Sequence, residues 1–347
     1  MAEPVLSVKN LTRYYPQHTV RTEEGFPPVK AVDGLSFDLA PGEVLGIIGE
    51  SGCGKSTLGR VLLQLEEQTG GTVTLHGRDA SAWHRKDPKG FRRAAQIVFQ
   101  NPYDTFNPRF VILKSMLRPL IIHRIGRDEG ERRALCVQAL ESAGLTPAED
   151  YLGRYPHELS GGQLQRVSIL RAMMLSPKLL VADEPVSMLD VSVRAEILTL
   201  LSSQVRDRTM AMVYISHDLA TTRYIADRVA VMYLGRIVET GPADAVLRHP
   251  AHPYTKALLS NCGSLDMDGA FDPIALSGEP PVPIGAGPGC YFAPRCFQTC
   301  PKCWERYPDP VAVGEGHSAA CCLLNEQPER GLFEKIPLSE PLPEKIP

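Results

Sequence analysis

The stretch GESGCGKST, Gly49 to Thr57, follows the apolar run Val44 to Ile48 and precedes the helix-like segment Leu58 to Leu65. Glycines clustered around a lysine and two hydroxyls, between a strand and a helix, suit the holding of an anion. Gly49, Gly54, Lys55 and Ser56 satisfy the spacing GxxxxGK[ST]. Gly49, Gly52 and Gly54 free the backbone N–H groups of Ser51 through Thr57 to turn inward around phosphate oxygens, at the positive end of the following helix. Lys55 then reaches the β- and γ-phosphates, and the Ser56 hydroxyl completes a Mg²⁺ shell. Cys53, inside the loop, reads as a spacer; a reactive thiolate beside Lys55 is the alternative.

Further β-rich apolar runs recur at Gln96–Phe99, Leu179–Ala182, Met212–Ile215 and Val229–Tyr233. Their apolarity is continuous rather than alternating, as in strands buried on both faces. A mainly parallel sheet with helices around it is therefore expected, an α/β fold. Between Gln100 and Ser160 no strand is evident, and Arg127–Gly144 carries a helical period in Ala134, Leu135, Val137, Leu140 and Ala143. This predicts a helical subdomain inserted at about 101–160. After about Gly241 prolines cluster and cysteines follow, and the tail PLSEPLPEKIP reads as poorly ordered.

Two acids close the run LLVADE. Downstream of a phosphate loop, Asp183 suits the Mg²⁺ water shell, and Glu184 suits a base that orients and deprotonates a water in line with the γ-phosphate. His217 ends another apolar run in SHD, at the strand end where ligands sit in open α/β sheets. LSGGQ, Leu159–Gln163, is a capping box in Ser160 and Gln163 opening a helix. A capping box needs neither Gly161 nor Gly162, which also permit close backbone approach to a phosphate. Two anion-type helix starts are more than one nucleotide needs from one chain.

The ordered motifs GESGCGKST, VFQNPYDTFNPR, PHELSGGQLQR, LLVADEPVSMLD and SHD resemble those of the ATPase subunit of an ABC transporter, over roughly Leu6 to Gly241. The resemblance implies a P-loop NTPase (RecA-like) core and a head-to-tail dimer, with ATP between the phosphate loop of one subunit and the signature of the other. It implies that Tyr15 stacks on adenine, that Gln100 senses Mg²⁺ and water, that Asp190 is the D-loop acid and that His217 is the γ-phosphate switch. The insertion HTVRTEEGFPPVK, the phrase NPYDTFNPR, the segment HPAHPYTKALL and the C-terminal cysteines resemble the oligopeptide/dipeptide/nickel importer branch. That branch commonly has alanine where Met188 stands, and similar variants occur in relatives that import oligosaccharides, so peptides or related small solutes are the expected cargo, with oligosaccharide or nickel as the alternative.

Of the nine cysteines, six fall between Cys290 and Cys322. Cys290, Cys296, Cys303 and Cys321 match the branch motif, with Cys300 and Cys322 as extras. Such thiolates can converge on a soft centre, a [4Fe–4S] cluster or Zn²⁺, and the resemblance favours the cluster. His317 is a weaker candidate ligand.

At 347 residues two domains are expected, 1–245 as the ATPase and 246–347 as a Pro/Cys-rich region. A net charge of −3 does not suggest a nucleic-acid binder. The start MAEPVLSVKN has no basic or apolar leader character, and no run approaches the ~18 apolar residues of a membrane span. The expectation is a peripheral protein on the cytoplasmic face of the cell membrane. Its implied partners are two permease subunits, a second ATPase subunit and, indirectly, a solute-binding protein. A soluble ABC ATPase of translation or DNA repair is the rival, disfavoured by a single cassette without long heptads.

Overall fold

The computed structural model describes residues 3–21, 25–208, 210–261, 273–276 and 278–326. The proline-rich tail and residues 22–24 of the early insertion lie outside them. Among the described residues the strands are β1 (Leu6–Tyr15), β2 (Val29–Leu39), β3 (Val44–Ile48), β4 (Gly70–Leu75), β5 (Arg78–Asp79), β6 (Ala95–Val98), β7 (Leu179–Asp183), β8 (Ala211–Ile215), β9 (Arg228–Tyr233), β10 (Arg236–Pro242), β11 (Val311–Gly314) and β12 (His317–Ala319).

The five apolar runs are five neighbouring strands, reaching one edge at β6, of an eight-stranded sheet ordered β11-β12-β10-β9-β3-β8-β7-β6. Within it β3 lies parallel to β8 and β9, and β7 parallel to β6 and β8. Every residue of β3 and β8 is buried, because both faces are covered. Alternate residues sort to the two sides: Val213 and Ile215 pack with Leu58 and Val61, whereas Met212 and Tyr214 pack with Ile197 and Leu201. Continuous apolarity is thus period-two alternation between two apolar layers.

Beyond β9 the sheet turns antiparallel. β10 pairs with β9, and β12 adds to β10 through Glu239 opposite Ala319 and Thr240 opposite Ser318. The C-terminal hairpin therefore extends the main sheet. A second, antiparallel sheet, β2-β1-β4-β5, covers one side. Its strands were not anticipated, because polar residues such as Lys9, Asn10, Thr12 and Arg13 break up the apolar pattern of β1.

Between β6 and β7 the described residues form helices and no strand. The helix Glu129–Ser142 starts where the Asp128 carboxylate accepts from the Glu131 N–H, with Glu129 and Glu131 favourable at its positive end. It stops at Gly144, whose φ of 73° suits glycine. Cys136 and Leu140 of this helix join Met116 and Leu120 of the helix Ile112–Ile122, and Leu164 and Val167 of the helix Gly161–Met173, in a core of their own. Gly49, Gln100, Glu184 and His217 follow the C-terminal ends of β3, β6, β7 and β8. Four adjacent parallel strands so deliver the candidate groups to one edge.

Candidate nucleotide site

Gly49 must be glycine on two counts. Its φ is 152°, and a Cβ there would stand 2.1 Å from the Met232 carbonyl oxygen. At Gly54, φ is 104° and a Cβ would stand 2.0 Å from the Ala31 carbonyl oxygen. These two positions let the loop lie flat against the neighbouring backbone and open the helix Lys55–Leu62 with no acidic residue in its first turn. An open cleft of ≈ 490 Å³ results, lined by Ala31, Ser51, Gly52, Gly54, Lys55, Ser56, Thr57, Glu184 and His217. That volume suits a small ligand.

The Lys55 ammonium is buried and donates to the carbonyl oxygens of Gly49 at 2.7 Å and Glu50 at 2.9 Å. Its charge is thereby parked inside the loop. Cys53 is buried beneath, 3.7 Å from Lys55 Nζ; burial pushes its thiol up although the ammonium pulls the other way. A reactive thiolate is disfavoured and the spacer reading fits.

Ser56 Oγ donates to Asp183 Oδ1 at 3.2 Å. Burial, with a further contribution from the Glu184 charge, pushes the Asp183 carboxyl above its ordinary value despite the Ser56 hydroxyl. A carboxylate strained in this way gains from a cation, and an oxygen-only set of Ser56, Asp183 and Gln100 suits Mg²⁺.

Glu184 has a φ of 48° and its N–H donates to the Ile215 carbonyl at 2.9 Å, which aims its side chain into the cleft. Gln100 Nε2 donates to Glu184 Oε2 at 3.0 Å, and His217 Nδ1 lies 3.0 Å from Glu184 Oε1. The three groups read from separate motifs therefore meet. Gln165, absent from the sequence reading, is fully buried and donates from Nε2 to the Pro185 carbonyl at 2.8 Å and the Phe99 carbonyl at 3.2 Å. It ties the chain next to Glu184 to the chain next to Gln100. A glutamine amid a helical pattern carries no sequence signal of that role.

Gly49, Cys53, Gln100 and Asp183 adjoin or bond to residues that line the cleft, whereas Tyr15, Asp190 and the signature residues Ser160–Gln163 do not line it. The Tyr15 hydroxyl donates to the Glu66 carboxylate, and the Arg13 guanidinium lies 4.5 Å from its ring centre. Asp190 is exposed, at the start of the helix Val191–Arg208. The signature also lies elsewhere: the Gln163 N–H donates to Ser160 Oγ at 3.3 Å and the Ser160 N–H to Gln163 Oε1 at 3.0 Å, a complete capping box. Its glycines differ. A Cβ on Gly162 would meet Val193 Cγ1 at 2.5 Å, so packing within the chain requires that glycine. On Gly161 the nearest atom would be 3.6 Å away, an ordinary contact, so nothing within the chain does.

In the C-terminal region, the Cys290 N–H donates to the Cys303 carbonyl at 2.7 Å, and Cys300 Sγ lies 3.6 Å from Cys303 Sγ. Burial pushes the thiols of Cys290 and Cys296 up, to about 11 and about 12, and that of Cys321 up as well; the charges of Cys290, Cys303 and Cys321 act on Cys296 in the same sense. Cys290 and Cys303 thus adjoin, and soft donors fit a soft centre by chemistry. Yet among the described residues no group of three or more His, Cys, Asp or Glu is arranged to hold a metal ion. That arrangement does not support the expected iron–sulfur cluster. His317 is engaged elsewhere, with Nε2 2.7 Å from Glu239 Oε1, both buried.

Residues 32–187 match the family model "ABC transporter", and residues 238–303 match "Oligopeptide/dipeptide transporter, C-terminal region". The chain is 41% identical to the putative oligopeptide transport ATP-binding protein YkfD of Bacillus subtilis, over 92% of this chain and 95% of that protein. To the dipeptide transport ATP-binding protein DppF of Escherichia coli it is 42% identical, over 95% and 98%. Among solved structures it resembles a dimeric ATP-binding cassette in a post-hydrolysis state bound to ADP and Pi. That likeness has a TM-score of 0.60 and 26% identity, and covers 69% of this chain and 98% of that one. It also resembles cbiO1 of Clostridium perfringens, part of an ABC transporter complex, with a TM-score of 0.59 and 26% identity, covering 71% and 91%.

Proposed function

The chain belongs to the ATP-binding subunits of ABC transporters, and from that premise we propose that it hydrolyses ATP to power peptide uptake through a pair of membrane permease subunits. The observation that carries the mechanism is the meeting of Gln100 and His217 on the two oxygens of Glu184, at the mouth of a loop built for phosphate.

Lys55 moves from the loop carbonyls to the β- and γ-phosphates. Ser56, Asp183 and Gln100 would hold Mg²⁺, which would supply charge neutralisation to the phosphates. Glu184 accepts the proton of the attacking water, Gln100 orients that water, and His217 reports the γ-phosphate. Tyr15 supplies the adenine platform once its ring is released from Arg13. Ser160, Gly161, Gly162 and Gln163, outside the chain's own cleft, complete the cleft of a second ATPase subunit, with Asp190 beside them; a related but different chain is the preferred second subunit. The signature helix has no acidic residue in its first turn, which favours an anion there.

Residues 1–245 act as the ATPase unit, with 101–160 an inserted helical subdomain. Its exposed Tyr103, Ile121, Ile122 and Tyr155 offer an apolar surface to a short permease helix. No helix of the described residues is long and apolar enough to cross a membrane, in keeping with a peripheral subunit at the cytoplasmic face. Residues 246–347 are the C-terminal region, where Cys290, Cys296, Cys303 and Cys321 would be the ligands of a [4Fe–4S] cluster, or of Zn²⁺ in its place, which would act as a staple. Protein purified without oxygen should then contain iron and sulfide and absorb broadly near ~400 nm. Stoichiometric zinc without iron would assign the thiols to Zn²⁺, and neither metal would remove this part of the proposal.

Cargo is tested by deleting the gene and measuring uptake of labelled dipeptides, oligosaccharide and nickel. Peptide uptake should fall, and should return with the intact chain but not with Lys55→Ala. Loss of oligosaccharide or nickel uptake alone would contradict a peptide cargo.

A further inference from the structure

Glu50, the second residue of the phosphate loop, is held from three directions. Its carboxylate accepts from both ends of the Arg295 guanidinium, at 2.7 Å from Nη1 and 3.1 Å from Nη2. Its N–H donates to the Tyr254 hydroxyl oxygen at 2.9 Å. Its carbonyl is one of the two that park Lys55 Nζ. Arg295 reaches across 245 positions of sequence, and its side chain is only 6% exposed. The planar fork of arginine fixes both carboxylate oxygens at once, which lysine cannot do.

The two residues that grip Glu50 are linked through Tyr233, whose hydroxyl accepts from Arg295 Nη1 at 3.4 Å and whose ring packs on Tyr254. Phe292 packs edge-on against Tyr254 and Tyr233, with ring centres 5.3 Å and 5.2 Å away, and Tyr233 lies 4.7 Å from Tyr254. Arg295 ends the short turn Ala293–Arg295, which lies between Cys290 and Cys296. The cysteine-bearing segment thus bears directly on the loop that receives phosphate. The hydrogen bonds from the guanidinium to Glu50 hold Arg295 more firmly protonated than usual.

We infer that Arg295 is a positioning residue for ATP binding: through Glu50 it sets the first turn of the phosphate loop and the resting place of Lys55. The C-terminal region is by this route a brace for the nucleotide site as well as an appendage of the sheet. The inference rests on the ATP site proposed above. Arg295 does not touch ATP; it acts on ground-state binding through the loop, so its loss should raise KM for ATP more than it lowers kcat.

The test is steady-state hydrolysis by the full chain with its partner subunits, together with titration of a fluorescent ATP analogue with Mg²⁺, on Arg295→Gln, Glu50→Gln, their combination and Arg295→Lys. The single Gln variants should each bind nucleotide about tenfold more weakly, a loss of ~1.4 kcal/mol, with kcat within about threefold of the intact protein. The double variant should be no worse than either single one, since both remove the same ion pair. Arg295→Lys should recover part of the affinity. A merely structural arginine would lower the unfolding temperature but leave KM of the folded fraction unchanged, and that result would overturn the inference. Additive losses would overturn it too. Should Arg295→Gln not fold, Glu50→Gln decides alone, because it breaks the pair without altering the C-terminal region. Intact protein that binds no nucleotide would instead refute the ATP site itself.

Discussion

Gln100 and His217, 117 positions apart in sequence, approach opposite oxygens of Glu184 at the same distance of 3.0 Å. A carboxylate held from both sides has its free lone pairs fixed in direction. Glu184→Gln keeps the shape and removes the proton acceptor. Turnover should fall by about 10²–10⁴, the usual contribution of a general base. Nucleotide binding should survive, and dimers should accumulate with ATP bound. Phosphate release and size-exclusion chromatography with Mg-ATP measure both; unchanged turnover would remove Glu184 from the chemistry.

The two signature glycines make opposite predictions. Gly162→Ala puts a methyl 2.5 Å from Val193 Cγ1, so it should destabilise the chain by about 1–3 kcal/mol, with partial recovery in Gly162→Ala/Val193→Ala. Gly161→Ala meets no such contact and should leave stability unchanged or raise it by up to ~1 kcal/mol. Its effect should fall on ATP-driven dimerisation and turnover. Thermal unfolding and hydrolysis, measured on both, separate packing from function; an unaffected dimer in Gly161→Ala would argue against a phosphate approaching that backbone.

His252 is fully buried, and burial holds its imidazole well below the ordinary value, at about 4. The unfolded chain, with a value near 6.5, binds more protons in the window between about 6.5 and 4. Stability should therefore decline as pH is lowered through that window and level off with respect to this group below it. The shift corresponds to roughly 3 kcal/mol. Denaturant unfolding of the intact chain and of His252→Gln at several pH values tests this: the variant should be less stable at pH 7 and show a shallower slope between pH 6.5 and 4. Equal slopes would exclude His252 as the cause.

Which residues gather at the cleft is legible in the sequence because they sit in short local motifs. GESGCGKST and SHD each follow, and LLVADE ends, a strand whose burial writes a continuous apolar run, as at Val44–Ile48 and Ala211–Ile215. β1 and β2 escaped notice because Asn10, Thr12 and Asp33 interrupt any simple period, and their pairing carries several register shifts. The extension of the sheet by β12 and the grip of Arg295 on Glu50 were invisible for another reason. Both join residues tens to hundreds of positions apart, and no local pattern encodes the partner. Six clustered cysteines were easy to see, but their spacing does not state whether the folded thiols form a metal shell.

The proposed sharing of the site predicts complementation between two inactive variants. Lys55→Ala loses its own phosphate loop and Ser160→Arg loses the signature offered to a partner. In a dimer of one chain of each kind, one pocket keeps both an intact loop and an intact signature. Each variant alone should be inactive, and where the chain pairs with itself an equal mixture should recover up to about a quarter of the intact rate, half the dimers having one of two pockets. Recovery beyond half would contradict shared pockets.

The most direct measurement is the specific ATPase activity of the isolated chain as it is diluted, with its monomeric state verified by light scattering at each concentration. An ATP pocket completed by a second subunit predicts that activity per molecule falls toward zero as the monomer becomes the only species, and that adding the partner subunit restores it. Constant activity per molecule in a verified monomer would contradict it.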